Sequence, residues 1–371
     1  MLRWEMVTGV DRLSVHRREW DQLAGQAGRP LLLSAWAPAW WRHMQPAGAE
    51  LRVVLVFDRQ RLIGVAPLFV RNGRARWFGE YRPIGNISTF ARLEPLAAAG
   101  FEQGVAGAIV GALAGATPPV GSLRFDGIDV ESPWPARLAQ AWRKHGGAAT
   151  HRGPTASAPV LGPSGKSYAE WLASKSSNFR WQARSARRSL ERAGGTVRPA
   201  LPAETDQDLR ALARLHRARW SQRGSPVADS ELRLLLEAVN ELGAADHVRF
   251  PTVRHGNQLI GGAVFAACGG VVSLLYTAFD PAYARYRPGF QAVLAAIEDG
   301  CSRRDHLIDF GPPAAPYKAR LADGDSRIFS VVLVPHTRSP LARLRVVAQQ
   351  TLRRLPDATQ RRAISLLRHG R

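Results

Sequence analysis

Leu62-Ile63-Gly64 and Leu259-Ile260-Gly261 lie 197 positions apart, and the turn pairs Asn72-Gly73 and Gly269-Gly270 share that offset. A chain that repeats a strand signal and a turn signal at one fixed spacing is constrained to fold as two copies of one unit. Each tripeptide opens an apolar, strand-like run, LIGVAPLFV in one half and LIGGAVFAA in the other. Strand-like runs also flank them, LRVVLVF and RARWFG in the first half and residues 248–253 and 271–277 in the second. Asn-Gly between two such runs marks a hairpin. Later on, LRFDG at 123–127 and LIDFG at 307–311 restate one further strand. Helical periodicity falls between the strands, over 10–26 (Leu13, Trp20, Leu23), 34–44 (Trp36, Trp40, Trp41, with Ser34 as N-cap), 101–114 and 135–145. A final short strand is expected near 159–161. The fold class that follows is α/β (α+β), with tandem modules at 1–161 and 162–339, each a mixed, mainly antiparallel sheet flanked by helices. A basic helical tail, 340–371, completes the chain.

The copies differ where chemistry would sit. In the second half Arg285, Arg287, Pro288 and Gly289 run directly into a helix carrying Phe290, Val293, Leu294 and Ile297. The unpaired amides of such a helix start favour a phosphate. The strand HLIDFG then places Asp309, and beyond it Tyr317, near the mouth of the same crevice, where open sheets bind ligands. In the first half, EYRPIGNISTFARLEP contains no Pro-Gly step into an apolar helix. That half is read as non-catalytic.

The 371 residues carry 51 Lys plus Arg against 30 Asp plus Glu, a net charge of +21. Such a field favours an anionic partner or reflects an Arg-rich composition. The densest basic stretch follows Ser177 and Asn178, either of which would cap a helix with Arg180, Arg184, Arg187 and Arg188 spaced three and four apart. That stripe meets a donor's phosphates, an acidic substrate (through Arg184 and Arg188) or nucleic acid, or is a solvated face. The tail, with Leu341, Leu344, Val347, Leu352 and Leu355, docks on the protein or lies on an anionic membrane face. His216 lies among leucines on a helix over 206–220. Cys268 and Cys301 are too few for a disulfide framework. Metal-ligand spacing, a phosphate-binding P-loop and a nucleophile elbow do not occur, and the amino terminus lacks an apolar signal core, so a cytoplasmic protein is expected.

Tyr276, Asp280, Tyr283, Pro288-Gly289, Asp309-Phe310-Gly311 and Tyr317-Lys318 together resemble the acyltransferase module of the GNAT superfamily. Within it the pattern is similar to the branch of cellulose-biosynthesis acetyltransferases (CelD-like), relatives of the Fem-type aminoacyl transferases. The resemblance implies an acyl-CoA donor held at Arg285, Arg287, Pro288, Gly289 and Phe290, with no metal. Tyr276 and Tyr283, which match the family pattern, would protonate the departing thiolate. Asp309, with Asp280 and His216 behind it, would take the acceptor's proton. Asp280, Tyr317 and Lys318 would contact substrate. The implied reaction is N- or O-acylation of a cell-envelope or exopolysaccharide precursor, such as an amino sugar. Two other readings stay open, a Fem-type enzyme using aminoacyl-tRNA and a catalytically inactive basic adaptor.

Overall fold

The computed structural model describes residues 2–72, 78–86, 92–163, 165–220, 229–312 and 315–336. Gly73 of the first turn and the tail 340–371 therefore lie outside the described residues. The first half runs β1 (Arg3–Val7), α1 (Arg17–Ala27), α2 (Trp36–Met44), β2 (Ala49–Asp58), β3 (Arg61–Asn72), β4 (Gly79–Pro83), β5 (Leu96–Ala97), α3 (Glu102–Ala114), β6 (Val120–Asp129), α4 (Trp134–Trp142) and β7 (Ala148–Leu161). The second runs α5 (Tyr168–Ala173), α6 (Ser177–Arg192), β8 (Gly195–Pro199), α7 (Thr205–Trp220), α8 (Asp229–Gly243), β9 (Val248–Arg249), β10 (Pro251–His255), β11 (Gln258–Cys268), β12 (Val271–Phe279), α9 (Pro288–Ser302), β13 (Leu307–Asp309), α10 (Pro316–Leu321) and β14 (Gly324–Pro335).

All of the strands join one 14-stranded sheet, ordered β1-β2-β3-β4-β6-β14-β7-β13-β12-β11-β10-β8, with β5 and β9 as short side pairings. The expected tandem architecture is present as two matched fans, β1-β2-β3-β4-β6 and β8-β10-β11-β12-β13. Each fan is antiparallel except at its inner end, where β4 runs parallel to β6 and β12 parallel to β13. Between the fans the last strands trade places. β7, from the first half, pairs with β13 of the second, while β14, from the second, pairs with β6 of the first and with β7 itself.

The 197-residue offset has a physical cause. In the first fan Val56 pairs with Gly64 and Phe57 with Leu62, with a register shift between them. In the second, Val253 pairs with Gly261 and Arg254 with Leu259, with the same shift. The glycine of each tripeptide lies under the helix that follows its hairpin. A Cβ on Gly64 would come within 2.5 Å of Val105 in α3, and one on Gly261 within 2.6 Å of Pro288 in α9. Repeated Leu-Ile-Gly thus marks a bulge plus a close helix approach.

Some local expectations are corrected. Ser34 does not cap α2, because its amide and hydroxyl both bond to the Asp21 carboxylate. Neither Ser177 nor Asn178 caps α6, since Ser176 does so through the Phe179 amide. Asn72 pairs with Gly79, so the first hairpin closes over residues 73–78 rather than a two-residue turn. Gly269 and Gly270 do form such a turn, with φ of 54° and 73° between paired Cys268 and Val271. Strands β1 and β14 and helix α8 carry no expectation from sequence.

Strand alternation sorts the second module into two faces. Along β11, Val264, Ala266 and Cys268 join the core under α7 and α8, whereas Ala263, Phe265 and Ala267 join a separate core under α6 and α9. Helix α8 also packs on α2 of the first module, where Glu237 bonds to Arg42 and to His43. No described helix is long and apolar enough to cross a membrane.

Candidate active site

Helix α9 begins at Pro288, which has no amide proton, after Arg287 in the left-handed region at φ 51°. The amides of Gly289 and Phe290 then have no intrahelical acceptor and point out of the helix start. Arg287 is fixed there by its bond to the Gln182 side-chain oxygen (2.7 Å), which also accepts from Arg320. Arg285 stacks over the Tyr286 ring at 4.6 Å. Phe290 packs edge-on against Phe179 of α6. Together these gather two amides and two arginines around the start of α9. Gly289 has a packing reason as well, because a Cβ there would point inward and meet Phe279 at 3.1 Å and Thr277 at 3.7 Å.

The start of α9 lies beside an opening in the sheet. β12 and β13 pair only across Val271 to Ser273 and Leu307 to Asp309. Beyond Ser273 these parallel strands part, and β12 continues to Phe279 with a bulge that leaves Leu275 out of the pairing with β11. An extended ligand arm could pair with that free edge.

On the opposite face, under α7, Tyr276 is 8% exposed and its hydroxyl has no hydrogen-bond partner among the described residues. Burial, reinforced by the Glu231 carboxylate, pushes this phenol well above the usual tyrosine range. It therefore keeps its proton near neutral pH. The His216 ring lies 4.6 Å from the Tyr276 ring. Glu231 is buried near the start of α8.

Not all of the residues picked out from sequence share this place. His216 and Tyr276 come together. Tyr283 lies on the other face, with its hydroxyl 3.3 Å from Gln258 and its ring beside His255 and Tyr286. Asp280 caps the short turn before α9 by accepting from the Ala282 amide. Arg184 and Arg188 are exposed on α6, on the α9 face. Tyr317 is 43% exposed at the start of α10.

Asp309 sits in a buried ion-pair network at the junction of the fans. Arg92 of the first half donates Nε to Asp309 (2.8 Å) and Nη1 to Asp129. Asp129 also accepts from Ser326 (2.9 Å) and pairs with Arg29 (3.1 Å), which holds Glu94. The second oxygen of Asp309 accepts from the Gly311 amide at 2.9 Å. Both oxygens of Asp309 are thus engaged within this network. Lys318, 7% exposed, donates to the carbonyls of Gly311 (2.9 Å) and Pro312 (3.4 Å).

Burial lowers the Lys318 amine to about 8, against an opposing pull from Asp309. The unfolded chain therefore binds more protons than the native one between about pH 8 and the ordinary lysine value near 10.5, so this group's penalty on folding disappears as pH rises through that window. Unfolding free energies measured for the wild type and Lys318→Met should diverge in the wild type's favour by roughly 1–3 kcal/mol from pH 7 to 10. A difference that stays flat with pH would show that the amine is not desolvated.

A cavity of 690 Å³ lies elsewhere, between β8, β10 and the carboxyl ends of α8 and α9. Its arginines are spent on carboxylates: Arg198 on Glu204, Arg249 on Asp305, Arg303 on Asp246 and Arg187 on Glu191. Among the described residues it thus offers no unpaired arginine to orient an anionic reactant. No group of three or more His, Cys, Asp or Glu side chains placed to hold a metal occurs among the described residues.

Two charged side chains beside these residues went unread in the sequence. Glu231 shares an apolar stripe with Leu234, Leu235 and Ala238, and a carboxylate on such a stripe is a usable signal. Arg92 carries none, since its partner Asp309 is 217 residues away.

Residues 177–319 match the acetyltransferase (GNAT) domain family. Three solved structures share the fold over nearly their whole length. FemX is 12% identical, with a TM-score of 0.63 over 92% of this chain and 99% of its own. A conserved protein of unknown function from Bacteroides thetaiotaomicron is 11% identical, with 0.56 over 90% and 100%. The C-terminal domain of a putative lysylphosphatidylglycerol synthetase from Agrobacterium fabrum is 8% identical, with 0.54 over 92% and 97%. No curated protein matches the sequence.

Proposed function

We propose that the chain, which carries a GNAT acetyltransferase domain over residues 177–319, transfers an acyl group from acyl-CoA to an amine or hydroxyl. The observation that carries this reading is the buried Tyr276 hydroxyl, without a partner and beside His216, on the one strand whose free edge begins where β12 leaves β13. Donor phosphates would rest on the Gly289 and Phe290 amides with Arg285 and Arg287, and the thioester arm would pass along the β12 edge to the far face. There His216 takes the acceptor's proton as its nitrogen or oxygen attacks the thioester carbon, the carbon–sulfur bond breaks, and Tyr276 gives its proton to the thiolate. Asp309 is left out of the proton path and serves to fix the end of β13.

The acceptor class follows from the CelD-like resemblance alone, as a cell-envelope or exopolysaccharide precursor such as an amino sugar. Use of acyl-CoA goes with a cytoplasmic location, and the first module shapes the acceptor side. A Fem-type reaction with aminoacyl-tRNA would need the same His216–Tyr276 chemistry but a much larger donor surface.

Calorimetric titration with acetyl-CoA and CoA tests the donor. A bulky residue at Gly289 would pry α9 from Phe279 instead of filling the proposed phosphate site, so the informative variant is Arg285→Ala/Arg287→Gly, which keeps the left-handed position. Wild type should bind, and the variant should bind roughly ten- to a hundredfold more weakly, the worth of one to two charge-assisted bonds. Absence of binding by wild type to short- and long-chain acyl-CoAs would sink the reading.

A further inference from the structure

Helix α6 buries Phe179, Ala183, Ala186 and Leu190 against the second module. The opposite stripe, at spacings of three and four, carries Trp181, Arg184, Arg188 and Arg192. Trp181 is 62% exposed. The ion pair on this helix among the described residues is made by its flank, between Arg187 and Glu191, and the three arginines of the outward stripe have no carboxylate partner among the described residues. Directly beneath Arg184 and Arg188 a 440 Å³ cavity opens between α5, α6 and α9, lined by Leu172, Ala183, Leu294 and Ala295 together with Gln291 and the charged Glu191 and Glu298.

We propose that the outward face of α6 docks on an anionic lipid bilayer. The three guanidinium groups match phosphate headgroups, and an indole on a cationic helix settles at the headgroup boundary with its ring in the apolar layer. The four apolar residues of the cavity favour a lipid among polyanions. An acyl chain can lie against Leu172, Ala183, Leu294 and Ala295, which a nucleic-acid backbone has no group to cover, and its phosphate stays with the arginines above. The net charge of +21 adds long-range attraction to the same surface. Because Gln182, on the flank of α6, holds both Arg287 and Arg320, docking through this helix would bring the start of α9 close to the membrane.

The test uses the full chain and vesicles of phosphatidylcholine alone or mixed equally with phosphatidylglycerol. Cosedimentation should show binding only to the mixed vesicles, weakening with salt. Arg184→Gln/Arg188→Gln/Arg192→Gln should weaken that binding on the order of a hundredfold, with an unchanged melting temperature because all three positions are exposed. Bromine-labelled lipid should quench tryptophan emission in the wild type, and Trp181→Phe should abolish the quenching. Lack of binding to the mixed vesicles, undiminished binding by the triple variant or quenching that persists in Trp181→Phe would each overturn the proposal. So would displacement of vesicle-bound protein by polyuridylate at equal phosphate concentration. None of these readouts involves acyl transfer, so failure here leaves the donor reading standing, and the converse.

Discussion

Tyr276→Phe should lower the rate of acyl transfer about 10²- to 10⁴-fold, the usual worth of a positioned general acid, while leaving the protein as stable as before or slightly more so. The hydroxyl is buried without a hydrogen-bond partner among the described residues, so removing it costs none of their bonds and relieves a desolvated polar group. Rates are read as thiol release from acetyl-CoA with an amino-sugar acceptor, and stability by thermal unfolding. The combination discriminates sharply. A tyrosine kept only for packing would lose neither, and wild-type turnover in the phenylalanine variant would remove Tyr276 from the mechanism.

Arg92→Met is the substitution with the largest expected effect on stability. Two strand-end carboxylates, Asp129 of β6 and Asp309 of β13, converge on this one guanidinium, and the three side chains are between 11% and 22% exposed. Removing one partner of a buried pair costs about 3–5 kcal/mol, because the other charge remains buried and uncompensated. Asp129 keeps Arg29 and Ser326, so the loss should fall near the lower end, about 3 kcal/mol. The unfolding midpoint should drop by roughly 4 °C. Adding Asp309→Asn should return part of that loss, since the uncompensated charge then disappears. A single variant melting within about a degree of wild type would mean that the network contributes specificity of pairing and not stability.

What could be read from sequence was what local chemistry dictates. Leu-Ile-Gly repeated at one offset because bulge and helix approach recur together, and both are set within a dozen residues. The loop entering α9 was legible for the same reason, since a Pro-Gly step, flanking arginines and an apolar period are all local. Long-range pairing was not. Asp309 reads as a free carboxylate until Arg92 arrives from the other half, and Gly289 reads as a phosphate turn until Phe279 is seen beneath it. Tyr276 and Tyr283 stand seven positions apart in the sequence, on opposite faces of the sheet, and no spacing rule separates them once a bulge and a turn intervene. β14 escaped notice although IFSVVLV is strand-like, because its place between β6 and β7 depends on both halves being present.

That last placement has a consequence for how such a chain can arise and be taken apart. With β14 seated on β6 and β7 on β13, neither half owns a closed set of strands. Cut after Leu161, the leading half would present the bare inner edge of β6 and a strand, β7, with no β13 to join. Two identical single modules could satisfy both demands only by lending each other their last strands, as a swapped homodimer does. Joining the two genes turns that mutual loan into an internal contract. It replaces protein concentration with chain connectivity, frees one copy to drop its chemistry, and still forbids it to leave.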